Sequence, residues 1–376
     1  MVVAGEASGD AYGAALVEAL RSIRSPLSCF GMGGSAMARS GVHLVYDVTG
    51  RGTVGFAESI RQIPLFRRLL ARLVEAARRL RPNVAVLIDF PGFNLRLGPA
   101  LRHLGVPVVY YIAPAVWAWG AGRARSVASF ADRVVCAFDF EVPLYEQAGA
   151  RGVHWLGHPI LDDVPPRPSR SEALADLGLS GAGGVVAWLP GSRIQEVERL
   201  YPVMVEAAAL IRARRPQVEF VASVAPGIDP ALLEHVGGKA QRDLGIRLVG
   251  GGIWRSLAVA DVAVVASGTA TLQAALWQVP MVVVYRVSEP TYQMARRLVR
   301  ISHVSLPNVV CGSEVVEELL QHAVRPDRVA QSVLARLASP QRLQQEREAL
   351  AAVRARLGQP GAASRAARLI LEAARP

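Results

Sequence analysis

A chain of 376 residues, 51% hydrophobic and 19% charged, has the make-up of a folded protein of about two domains and excludes a disordered one. Its formal net charge of +11 rests on arginine, Lys239 being the only lysine. With no aromatic-basic platform or recognisable binding module, that charge does not point to nucleic acid as a partner. Cys29, Cys136 and Cys311 are odd in number and far apart, which argues against a disulfide framework and for a reducing compartment. No apolar run reaches the roughly 18–20 residues of a spanning helix and no signal-like segment opens the chain, so a cytoplasmic protein, at most peripheral to a membrane, is expected.

At the start, Val2-Val3-Ala4 leads through Gly5-Glu6-Ala7-Ser8-Gly9-Asp10 into a helical pattern over Ala11–Ile23. Asp10 reads as its N-cap. The first strand is short, which suggests a true start a few residues upstream. Phe66–Arg81 is a helix with leucines and arginines on different faces; it reads as an ordinary surface helix or as one that lies on an anionic membrane. Further strands are predicted at Val84–Ile88, Val108–Ile112 and Arg133–Ala137. Asp89 follows the first of these, and an acid at the carboxyl end of a parallel strand faces the ligand crevice, where it serves as a general base or caps its own turn. Trp117 and Trp119 are candidates for a sugar or acyl-chain pocket or for the core, and His158, in Gly157-His158-Pro159, for a site or a turn.

The stiff stretch Pro165-Pro166-Arg167-Pro168 divides the chain into 1–165 and 166–340. Beyond it, strands are predicted at Val185–Leu189, Val218–Val221, Arg247–Val249, Val262–Ala266 and Met281–Tyr285. Arg193 lies just past the first, where a guanidinium can clamp phosphate oxygens; Ser192 and Glu196 are one residue too far apart for a capping box. Ser267-Gly268-Thr269-Ala270 joins a buried strand to a helix containing Gln273, an arrangement that favours an anion at the helix N-terminus. Asn308 reads as a turn residue or a ligand to a sugar hydroxyl. Residues 341–376 are helical, with three destinations open: the second domain, a return to the first, or a dimer partner. Two such strand-to-helix junctions suggest an α/β protein of two similar domains facing one cleft.

In order, Gly5–Asp10, Gly31–Met37, Ile88–Asn94, Val116–Trp119, Gly157–Pro159, Leu189–Arg193, Ser267–Leu272, Pro280–Val283 and Ser305–Asn308 closely resemble the lipid-A-disaccharide synthase family of bacterial glycosyltransferases. The resemblance spans nearly the whole chain and implies a GT-B fold, two Rossmann-like doubly wound domains around a central cleft. It implies the partners UDP-2,3-diacylglucosamine and 2,3-diacylglucosamine 1-phosphate, joined to a β-1,6 disaccharide phosphate with release of UDP at the cytoplasmic face of the bacterial inner membrane, with no cofactor and no metal. Asp89 is then the catalytic base, with Glu6 its rival or an acceptor orienter. Ser8, Gly9, Arg193, Ser267, Gly268, Thr269, Ala270, Gln273 and Asn308 are the substrate-binding set. Gln273 stands where the family carries a glutamate for the uridine ribose, Gly92 where it often has an acid, and Ala113 and Ala115 where it has serines. A UDP-N-acetylglucosamine 2-epimerase of the same fold is the nearest rival.

Overall fold

The computed structural model describes residues 1–47, 63–119, 121–298 and 302–375. They divide into two compact units, one holding Met1–Asp163 and Leu357–Pro376, the other Val164–Arg296 and Ile301–Arg356.

In the first unit the strands are β1 (Val2–Val3), β2 (Cys29–Gly33), β3 (Val42–Asp47), β4 (Ala85–Ile88), β5 (Val108–Tyr111), β6 (Arg133–Cys136) and β7 (Val153–Trp155). They form one parallel sheet in the order β3-β2-β1-β4-β5-β6-β7. Both β4 and β5 are buried along their whole length, as strands covered by helices on two faces must be. The helix Ile63–Leu80 covers one face through Leu69, Leu73 and Ala77, while Arg67, Arg68, Arg72, Arg78 and Arg79 point to solvent. Its apolar stripe is therefore spent on the core, and what it presents outward is charge.

The second unit repeats the scheme with β8 (Val185–Leu189), β9 (Glu219–Ser223), β10 (Arg247–Val249), β11 (Val262–Ala266), β12 (Met281–Tyr285) and β13 (Glu317–Leu320), ordered β10-β9-β8-β11-β12-β13. After it the chain runs through the helix Pro340–Arg356, which packs on the helices Thr269–Leu276 and Leu306–Cys311. The last helix, Ala362–Ala373, belongs to the first unit and packs on Ala7–Ile23. Asp162 accepts the backbone N–H groups of Gly361 and Ala363 at its start, and Arg365 donates to the Leu156 carbonyl.

Three features depart from the sequence expectations. Strands β2, β3, β7 and β13 lack the unbroken Val/Ile runs that marked the others; β13 reads Glu-Glu-Leu-Leu. Its Glu317 is held there by Arg336, a guanidinium 1% exposed that also reaches Glu346, at 2.8 and 2.9 Å. Asp10 is not an N-cap. The helix starts at Ala7, with Glu6 at the cap position, and Asp10 lies buried inside it, accepting the N–H groups of Gly34, Ala36 and Met37. It caps the next helix, Ser35–Arg39, which follows β2. Ser192 and Glu196 do interact, since the Glu196 carboxylate accepts both the Ser192 and the Arg193 N–H at the start of Ile194–Arg214.

Candidate active site

In a doubly wound sheet, ligands bind where the strand order reverses, because the two loops leaving adjacent strands there turn to opposite faces and open a crevice. In the first unit the reversal lies between β1 and β4. The loops that leave them carry Gly5-Glu6 and Asp89-Phe90. In the second it lies between β8 and β11, whose loops carry Gly191-Ser192-Arg193 and Ser267-Gly268. The candidates Glu6, Asp89, Arg193, Ser267 and Gly268 thus stand at the two switch points.

Asp89 and Phe90 are successive non-glycine residues with φ of 42° and 48°, a conformation that costs about 1–3 kcal/mol per residue and persists only when its surroundings enforce it. Here they do. The Asp89 carbonyl accepts from the Tyr110 hydroxyl and the Asn94 amide, both at 2.8 Å, and its N–H donates to the Tyr111 carbonyl at 3.2 Å. Phe90 stacks on Phe93, and its ring lies so close to Gly5 that a Cβ there would meet it at 2.3 Å. Asp89 is half-buried on a ledge fixed from below. The half-buried Glu6 carries the neighbouring loop. Ser8 is the second residue of the helix and is also half-buried, whereas Gly9 is buried against Ala4 and Ile88, so what it supplies is close helix-sheet packing.

Beyond β5, β6 and β7 stand Trp117 and His158, which the sequence offered as candidates, and Glu141, which it did not. Glu141 is buried with its carboxylate on the Trp117 indole N–H at 2.9 Å, and burial pushes its carboxyl up to about 7. His158 accepts the Ile160 N–H on Nδ1, and burial lowers it to about 4, so the neutral ring carries its proton on Nε2. It packs between Tyr12 and Phe138. The Trp119 side chain lies outside the described part.

In the second unit Gly268 has φ 148° with open space where a Cβ would be. The helix Thr269–Leu276 begins there; Thr271 returns both its N–H and its hydroxyl to the Gly268 carbonyl. The first-turn amides of Thr269 and Ala270 are not consumed by the helix and mark its positive end. Ser267 is tied down by its hydroxyl to the Val304 carbonyl at 3.1 Å. Gln273 is half-buried one turn on. The Arg193 guanidinium lies on Glu196 at 3.1 Å, its side chain 37% exposed, which aims it along the start of its helix.

Asn308 departs from its expected role. It is wholly buried, its amide donates to the Val316 carbonyl and to Glu318, and its oxygen accepts the Val315 and Val316 N–H groups. With donors and acceptor engaged in this way, Asn308 acts as a clamp rather than a sugar ligand. Glu318 extends the clamp by accepting from Val304 and Ser305, so that the pair braces the segment on which Ser267 rests. Among the described residues there is no group of His, Cys, Asp or Glu able to hold a metal ion and no helix long and apolar enough to cross a membrane.

Comparison with known proteins bears on this geometry. The family described as lipid-A-disaccharide synthetase matches residues 1–373. A lipid-A-disaccharide synthase of Myxococcus xanthus is 43% identical over 99% of this chain and 96% of its own length, and one of Syntrophus aciditrophicus is 41% identical over the same shares. Among solved structures, a putative UDP-N-acetylglucosamine 2-epimerase from Listeria monocytogenes superposes with a TM-score of 0.67 at 12% identity, covering 100% of this chain and 97% of that one. The S. aureus MnaA-UDP co-structure gives 0.65 at 13%, covering 97% and 93%. At such identities these structures share the GT-B fold with this chain and nothing more is carried over. The sequence match over the full chain decides between the two enzyme classes: the chain belongs to the lipid-A-disaccharide synthase family of glycosyltransferases.

Proposed function

We propose that the chain transfers the diacylglucosaminyl group of UDP-2,3-diacylglucosamine to the 6-hydroxyl of 2,3-diacylglucosamine 1-phosphate, with inversion. The observation that carries this reading is the contrast at the two switch points: a carboxylate on a strained, braced ledge in one sheet, an open helix N-terminus beside an arginine in the other. The acceptor oxygen bonds to the anomeric carbon, and its proton passes to the Asp89 carboxylate. The bond to UDP breaks with its electron pair on the diphosphate. That charge is taken up by the amides of Thr269 and Ala270, the helix end and Arg193. Glu6, one strand away from Asp89, orients the acceptor. Gln273 accepts from the ribose through its amide oxygen, without the charge assistance of a carboxylate.

Both substrates are lipid-borne anions. The five arginines that the helix Ile63–Leu80 turns to solvent suit electrostatic attachment to an anionic bilayer at the cytoplasmic face, worth about 1 kcal/mol per basic residue. Because Leu69 and Leu73 of that helix are in the core, the attachment is by charge and weakens with salt.

The test is disaccharide-phosphate formation by the purified protein from the two acylated substrates in detergent micelles, beside UDP-N-acetylglucosamine with the same acceptor. Product from the acylated pair alone is expected. Epimerisation of UDP-N-acetylglucosamine, with no disaccharide from either donor, would overturn the reading.

A further inference from the structure

β13 ends the second sheet as an edge strand and reads Glu-Glu-Leu-Leu. Charge on an edge strand commonly serves to keep it from pairing with another chain. Here both carboxylates are half-buried and engaged, on opposite faces of the sheet, as successive strand residues are. Glu317 takes Arg336 and the Ser332 hydroxyl, both from the helix Pro326–Leu337. Glu318 takes the segment Val304-Ser305 and the first turn of the helix Leu306–Cys311. Its Oε1 accepts the Ser305 N–H at 2.9 Å, and the Ser305 hydroxyl and the Asn308 amide at 2.7 Å each. Its Oε2 accepts the Val304 N–H at 2.9 Å, which also lies 3.2 Å from Oε1.

Val304 is the link to the switch point. Its carbonyl accepts the Ser267 hydroxyl at 3.1 Å, just ahead of the free amides that open the helix Thr269–Leu276. That bond uses the only hydrogen of the Ser267 hydroxyl, so toward an anion the group offers lone pairs alone. The Thr271 hydroxyl is spent in the same way, on the Gly268 carbonyl at 2.7 Å. What Ser267 contributes to an anion site is therefore the placing of Gly268 and of the amides after it. Gly268 needs such a support, since glycine does little to restrict its own φ. The helix Leu306–Cys311, which Glu318 and Asn308 pin at its start, also packs on Thr269–Leu276.

We propose that Glu318 is a positioning residue for the diphosphate half-site: through Val304 it fixes Ser267, and through Ser267 the backbone of Gly268 and the amides of Thr269 and Ala270. The inference rests on those amides being where UDP binds. Glu318→Gln probes the relay sharply, because an amide has one acceptor end and one donor end. Whichever way it turns, its NH2 group meets other donors: the Val304 N–H at one position, Ser305 and Asn308 at the other. The second position faces more of them, so the amide keeps its oxygen on Ser305 and Asn308 and gives up Val304.

The experiment is calorimetric titration of UDP into the parent protein, Glu318→Gln, Ser267→Ala, the double variant and Glu317→Gln, with urea unfolding of each. Glu318→Gln and Ser267→Ala are each expected to weaken UDP binding about fivefold. If Glu318 acts through Ser267, the double variant loses about the same fivefold, not the roughly twenty-five-fold of independent losses. Glu317→Gln takes a partner from the buried Arg336; it is expected to unfold at lower urea and to bind UDP as the parent does, which separates positioning from general loosening. Parent-like UDP affinity in Glu318→Gln, losses that multiply in the double variant, or an equal loss in Glu317→Gln would each overturn the proposal. Should Glu318→Gln fail to fold, Glu318→Asp, one methylene shorter, is judged by the same outcomes. A parent protein that does not bind UDP is a different failure, that of the donor site itself, and takes the proposal with it.

Discussion

The two sheets share one topology and differ in what stands at the point where their strand order reverses. In the first unit the loops end in carboxylates, Glu6 and Asp89, with a third acid, Glu141, buried beyond β6, and the backbone at Asp89-Phe90 is held in a strained conformation by Tyr110, Asn94 and Phe93. In the second unit the same loops end in a guanidinium and an open helix N-terminus, and glycine makes the unusual backbone at Gly268 free of strain. A proton acceptor has to be placed accurately and kept from solvent, which justifies stored strain and buried charge. An anion site needs only aligned donors and room, which a helix end and a glycine provide. On the proposed reading, one topology serves a proton acceptor in one unit and an anion site in the other by changing loop residues alone.

Substitutions at either point can break this contrast. The largest effect is expected of Asp89→Asn, which keeps the shape of the ledge and removes the base: turnover should fall by about 10²–10⁴, the usual worth of a positioned general base. Turnover within a few-fold of the parent would end the base assignment. Arg193→Ala comes next, with the KM for the UDP-sugar rising about tenfold or more as a charge-assisted contact is lost; a KM that stays put would show that Glu196 merely parks the guanidinium. Asn308→Ala leaves the Val315 and Val316 N–H groups without their acceptor and should cost about 2–4 kcal/mol in urea unfolding. A variant as stable as the parent would mean the clamp is dispensable. The smallest change is expected of Gln273→Glu, which adds charge to the proposed acceptor of the ribose hydroxyls and should tighten donor binding a few-fold without altering kcat; weaker binding would remove Gln273 from the ribose.

How much of this the sequence disclosed follows from physics rather than luck. Strands β4, β5, β8 and β11 are uninterrupted apolar runs because both of their faces are covered, so they and the residues just beyond them, Asp89, Arg193 and Ser267, stood out. Short edge strands did not: β7 carries a histidine and β13 two glutamates, one of which, Glu317, is matched by Arg336 from a later helix. The same limit hid Glu141, Glu318 and Tyr110, each defined by a contact to another element of the fold. Asp10 shows the converse error. An acid before an apolar helix has the look of its N-cap, and only the approach of Gly34–Met37 reveals that it caps another. Asn308 was conspicuous for the right reason, a polar residue at a loop after a proline, but its amide is turned inward.

Titration of UDP by calorimetry into the parent, Asp89→Asn and Arg193→Ala proteins tests the division of labour most directly. The parent and Asp89→Asn should bind UDP with the same affinity, because the base touches the acceptor, while Arg193→Ala should bind about tenfold or more weakly. Equal loss of UDP affinity in both variants, or loss in Asp89→Asn alone, would contradict the account.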